Sequence, residues 1–103
     1  MAEAMSVPLR IHPDAEAEFA EAIGWYETHG GVDLALDFAT AVDEGLESIR
    51  QHPLRYAVVH KDTRRILIRR FPYGIFYVTN SSEVRVTAIY HLSRDPAGWQ
   101  SRS

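Results

Sequence analysis

Two apolar stripes with helical spacing occupy the first half of the chain. Ala15, Phe19, Ala22, Ile23 and Tyr26 recur at steps of four, three, one and three, which lines one face of a helix. His12-Pro13-Asp14 marks its start: proline suits the first helical position, and Asp14 and Glu16 sit where the positive end of the helix dipole favours acids. Glu16, Glu18, Glu21 and Glu27 fall largely off the stripe, and Gly30-Gly31 ends it. Leu34, Phe38, Ala41, Val42, Leu46 and Ile49 form a second stripe running to about Arg50, with Pro53 as a stop. The pattern predicts two helices joined by a short glycine connection, an antiparallel helical hairpin.

The period changes to two on either side of this hairpin. Val7-Pro8-Leu9-Arg10-Ile11 alternates and predicts a short strand, with Pro8 placing it at a sheet edge or a strand start. After an irregular crossover at residues 52–56, Ala57–His60 reads as a short strand and Lys61-Asp62-Thr63 as a turn. Arg64–Arg70 reads as the next strand, Ile75–Thr79 as another after the break at Phe71-Pro72-Tyr73-Gly74, and Val84–His91 as the last. Asn80-Ser81-Ser82-Glu83 supplies a hairpin turn. The expected fold class is α+β: a short N-terminal strand, a helical hairpin, then a three- or four-stranded antiparallel sheet with the helices on one face. Residues 1–103 are expected to form a single domain, with residues 1–6 as a disordered tail.

Charge changes this picture more than composition does. Apolar content of 46% and charged content of 24% place the chain among ordinary globular proteins. The net charge of −3 conceals a division: residues 1–50 hold two arginines against eleven acids, and residues 51–103 hold nine basic residues against three acids. An acidic helical side and a basic sheet side follow, with either mutual neutralisation or an acidic or phosphate-bearing partner as the consequence. Arg64, Arg65, Arg69 and Arg70 concentrate the positive charge. Strand alternation would put Arg65 and Arg69 on one face with Leu67, and Arg64 and Arg70 on the other with Ile66 and Ile68. Their guanidinium forks suit either the acids of the helices or the phosphates or carboxylates of a partner.

Other chemistries are disfavoured. The chain has no cysteine, which excludes disulfides and thiolate metal sites. Asp33, Asp37, Asp43, Glu44 and Glu47 have the spacing of a solvated helix surface, and the five histidines are scattered, so neither a metal nor a cofactor is expected. No stretch approaches the roughly 20 apolar residues of a membrane helix, and MAEAMSVP lacks a signal-peptide core. The expected location is cytoplasmic, away from any membrane.

Several segments together resemble the RelE/ParE superfamily of type II toxin–antitoxin systems, and its ParE-type branch most closely. They are Glu18 with Ala22 and Trp25-Tyr26-Glu27, Phe38, His52-Pro53, Arg64-Arg65, Arg70-Phe71-Pro72-Tyr73-Gly74-Ile75-Phe76-Tyr77, and His91 with Arg94-Asp95-Pro96 and Trp99. The resemblance implies a growth-inhibiting toxin neutralised by a cognate antitoxin that is partly disordered and folds on binding. Toxins of the ParE type target DNA gyrase and block replication without an enzymatic step.

Under that reading Arg64, Arg65, Arg69, Arg70, Arg94 and Trp99 are candidates for target binding, and Trp25, Phe38 and Tyr73 for antitoxin binding. The alternative is a metal-independent, ribosome-dependent mRNA endoribonuclease of the RelE type. His91 would then be the proton-transfer group, with Arg94 and Arg65 stabilising the phosphorane. The chain departs from that nuclease pattern in three places: Trp99 stands where the branch has a tyrosine near its end, Gly74 where it has an arginine, and Lys61 is the only lysine. Indole has no proton to exchange near neutral pH.

Overall fold

The computed structural model of the chain describes residues 7–102. The expectation for residues 1–6 lies outside them.

Five strands form one mixed sheet. They are β1 (Leu9–Ile11), β2 (Val58–His60), β3 (Thr63–Leu67), β4 (Tyr73–Thr79) and β5 (Val84–His91), in the spatial order β1-β5-β4-β3-β2. The last four make an antiparallel meander, as the alternation predicts. β1 adds a fifth strand at the far edge and runs parallel to β5, with Leu9 opposite Val84 and Ile11 opposite Val86. Parallel neighbours need a long crossover, and here α1 and the strands β2–β4 all lie between β1 and β5 along the chain.

The two helical stripes form one helical region, α1 (Pro13–Gln51), broken at Gly31 with φ 88° and ψ 171°. That backbone is essentially reserved for glycine. A straight helix would separate residues 19 and 38 by about 28 Å, yet the rings of Phe19 and Phe38 lie 6.0 Å apart. The halves therefore fold back on each other as the predicted hairpin. His12 opens α1, its Nδ1 accepting the Asp14 N–H at 3.0 Å. Gly45 faces the sheet so closely that a Cβ there would lie 2.9 Å from Ile75 Cδ1.

The sheet has a core on each face. Ala15, Ala22, Tyr26, Phe38, Val42 and Ile49 of α1 pack on Ile75, Tyr77, Val84, Val86 and Ile89. The opposite face carries Phe76, Ala88 and Tyr90 under Trp99, which sits on the short α2 (Ala97–Gln100). A bulge in β5 makes this division possible. Phe76 pairs with Ala88 while Tyr77 pairs with Val86, leaving Thr87 as the extra residue. Val84 and Val86 point to the helices before the bulge, and Ile89 does so after it. Straight alternation would instead have put Ala88 and Tyr90 on the helix side.

Two sequence expectations need correction. β3 ends at Leu67, so Arg69 and Arg70 are turn residues and share no strand faces with Arg65 and Arg64. Arg70 adopts φ 73°, a left-handed backbone that no strand accommodates. Thr63, read with Lys61 and Asp62 as a turn, is instead the first residue of β3.

Candidate functional site

A concavity lies where the first half of α1 meets the ends of β4 and β5. It is a cleft of about 810 Å³, and its lining includes Trp25, His29, Tyr73, His91 and Arg94. Each wall follows from local structure. Trp25 and His29 are four residues apart on one helix face, so their rings stack at 4.1 Å. His29 Nδ1 lies 2.9 Å from the Trp25 carbonyl oxygen, which accepts its proton. Trp25 remains 55% exposed, the largest aromatic surface on the molecule's described part. Opposite, Tyr73 and His91 are direct cross-strand partners, and their rings meet edge to face at 5.0 Å. Burial raises the phenols of Tyr26 and Tyr73 above the ordinary tyrosine value, so both stay neutral hydrogen-bonding groups.

Arg94 is the cation at the rim. Its guanidinium lies 4.8 Å over the Tyr90 ring, which fixes the charge without neutralising it. His91 is tied down differently. Its Nδ1 accepts the Ser93 N–H at 3.1 Å and lies 2.8 Å from Ser93 Oγ. In the neutral ring, an Nδ1 that accepts the Ser93 N–H leaves the proton on Nε2. Among the described residues, no group of three or more His, Asp or Glu is placed to hold a metal ion.

A family model for the ParE toxin of the type II toxin–antitoxin system parDE matches residues 9–96. The chain belongs to the ParE toxin family. Toxin ParE2 of Mycobacterium tuberculosis, in strains CDC 1551 / Oshkosh and ATCC 25618 / H37Rv, is 27% identical over 92 residues. That alignment covers 89% of this chain and 88% of the relative. A chain of the chromosomal ParDE toxin–antitoxin system from P. aeruginosa superposes with a TM-score of 0.76. It covers 85% of this chain and 98% of that one, and at 16% identity it speaks for the fold alone.

In this ParE-family chain the expected site residues divide into separate groups. Trp25, Tyr73, His91 and Arg94 converge on the cleft. Arg65 does not join them: it pairs with Phe76 on the sheet face away from the helices, whereas His91 shares its face with Tyr73 and Ile75. The sheet thus stands between the proton-transfer candidate and one of its two supposed stabilisers. Arg64 is structural, donating to the carbonyls of Tyr56 at 2.7 Å and Leu54 at 3.3 Å and so holding the crossover. Arg69 and Arg70 reach Glu44 at 3.6 Å and Asp37 at 3.9 Å, exposed pairs worth little in water.

Two candidates are not available as surface. Phe38 is fully buried between Tyr26, Phe71 and Tyr73. Trp99 is 7% exposed and stacks on Phe76 at 4.2 Å. Both are core residues, and neither can meet a partner without the fold opening.

A pair that the sequence did not single out is Glu18 with Arg102. Two guanidinium–carboxylate hydrogen bonds join them at 2.8 and 3.0 Å, with side chains only 11% and 19% exposed. The hydrogen bond to Glu18 raises the Arg102 pKa above its ordinary value, so the cation is permanent. Glu18 gave no signal of its own in the helical pattern, where it falls off the apolar stripe with Glu16, Glu21 and Glu27, and it stood out only among the residues that carry the family resemblance.

Proposed function

We propose that this chain is a gyrase-directed toxin that acts by binding, and that a cognate antitoxin neutralises it by covering the cleft between α1 and the ends of β4 and β5. The observation that supports binding over catalysis is the arrangement of the cleft. It is an aromatic concavity whose charged lining is one positioned cation, Arg94, with the acids Glu18 and Glu21, and Arg65, the second candidate stabiliser of a nuclease, lies on the other face of the sheet. The antitoxin part rests on family membership and on the exposed Trp25, whose stack with His29 is the kind of rigid anchor that interface hot spots use. An antitoxin segment ordering on this surface would follow the helix-in-groove or strand-addition modes of peptide capture. The gyrase assignment rests on the ParE-type resemblance, and it places the protein in the cytoplasm with its target. Among the described residues no helix is long and apolar enough to cross a membrane.

The test is expression of the chain with and without the antitoxin, scored in parallel for DNA supercoiling by gyrase and for cleavage of ribosome-bound mRNA. The expected result is inhibition of supercoiling, relieved by antitoxin, with mRNA intact. Cleavage at ribosome-bound codons that drops 100- to 10,000-fold on His91→Ala would instead establish the RelE-type nuclease.

A further inference from the structure

β1 covers only the beginning of β5. Its last contact is the His12 N–H, which donates to the Val86 carbonyl at 2.9 Å. Beyond that point the edge of β5 has no neighbouring strand, and its next edge groups are the Thr87 carbonyl and the Ile89 N–H. Both are met by side chains. Arg102 Nη1 donates to the Thr87 carbonyl at 3.0 Å, and Glu18 Oε1 accepts the Ile89 N–H at 3.1 Å. The same two side chains are bonded to each other, and Asp14 lies 3.6 Å from Arg102 Nε. One guanidinium and one carboxylate therefore supply the donor and the acceptor that a longer β1 would have supplied.

Their place in the sheet is specific. Thr87 is the bulged residue and Ile89 is the first residue to return to the helix face after it. The bulge decides which side chains face the cleft. With it, Ile89 and His91 share a face with Tyr73, and both line the cleft. A one-residue slip that removed it would turn Ile89 and His91 to the other face and bring Ala88 and Tyr90 in.

We infer that Arg102 is a positioning residue for the cleft: with Glu18 it clamps the β5 bulge and so aims Ile89 and His91 at the cleft. Arg102 does not line the cleft itself and acts through the residues it holds, β5 at Thr87 and Glu18 of α1. That this geometry matters for partner binding rests on the functional reading above, but the clamp itself can be tested apart from it.

The experiment is residue-resolved hydrogen exchange and ring-to-ring NOE measurement on the full chain and on Arg102→Ala and Arg102→Lys. In Arg102→Ala the Ile89 amide should exchange at least about tenfold faster than the β3–β4 amides do. The Tyr73–His91 ring contact should weaken with it, and Arg102→Lys, which still donates, should restore much of both. In the unmodified chain, the amides of Ile89 and Arg102 should open in the same cooperative step under mild denaturant. This second measurement stands even if Arg102→Ala does not fold. The inference is overturned if Ile89 is unaffected in a folded variant, if all amides lose protection equally, or if Ile89 and Arg102 open independently. Antitoxin affinity measured on the same variants separates the two layers. A released bulge with unchanged affinity would leave the clamp standing and count against the cleft as the binding surface.

Discussion

Removing the chain after Arg94 makes the sharpest test of how the second core works. The truncation deletes α2, Trp99 and Arg102 and leaves all five strands in the sequence. Trp99 is 7% exposed and stacked on Phe76 at 4.2 Å, so its loss resembles a large-to-small core change costing about 3–5 kcal/mol. Losing Arg102 leaves the Glu18 carboxylate, 11% exposed, with only the Ile89 N–H, a further cost of about 1–3 kcal/mol. Tyr90 also loses the Asp95 carbonyl that its hydroxyl donates to at 2.6 Å. The total is on the order of 4–8 kcal/mol, against about 5–15 kcal/mol for an entire domain. The truncated chain should therefore be largely unfolded alone, so truncation would not separate target binding from stability. Circular dichroism melts read this directly. The single change Trp99→Ala should lower Tm by roughly 12 °C or more in the intact chain. A truncated chain with the parent's Tm and denaturant slope would refute the reasoning and return Trp99 to the surface.

Gly31→Ala should cost about 1–3 kcal/mol in urea unfolding, because φ 88° with ψ 171° strains any side chain although the space there is open. Burial pushes the Tyr77 phenol up to about 12, and its hydroxyl donates to the Pro53 carbonyl at 2.7 Å. Because the folded value is raised, this stabilisation is complete below pH 10. It is lost as pH climbs toward 12, by about 2–3 kcal/mol in all. Tyr77→Phe should flatten that alkaline decline in a pH series of urea melts, and an unchanged decline would remove Tyr77 as its source. Trp25→Ala should shift stability by less than about 1 kcal/mol, as its ring is half-exposed, while weakening antitoxin binding at least tenfold by calorimetry. Equal affinity for the variant would take Trp25 out of the interface.

The helical half of the molecule was legible because its signals are local. The spacing from Ala15 to Tyr26 and from Leu34 to Ile49, divided by Gly30-Gly31, maps directly onto the hairpin. The sheet was harder to read. Arg64–Arg70 scans as one strand, but the left-handed Arg70 ends the alternation at the turn, a backbone property that arginine does not advertise. The β5 bulge left no mark, since Val84–Tyr90 reads smoothly with or without an extra residue. Of the site, Trp25, Tyr73, His91 and Arg94 were identified from the resemblance and do converge. Trp99 and Phe38 were misplaced because an aromatic residue looks the same in sequence whether it is anchor or core. Glu18 and Arg102 meet across 84 residues, beyond the reach of any periodicity.

The parallel pairing of β1 with β5 governs when the molecule can come into being. Leu9 and Val84 are neighbours in space and about 75 residues apart along the chain. Closing a loop of that length costs on the order of 4 kcal/mol before any contact across it is gained. The first strand made must wait for the last one. During synthesis the helical hairpin emerges with its apolar stripe uncovered, since Ile75, Tyr77, Val84 and Ile89, which cover it, follow later. A nascent chain is accordingly unfinished as a toxin until its final strand is released, and the hairpin it displays meanwhile is open to capture by whatever binds apolar helices first.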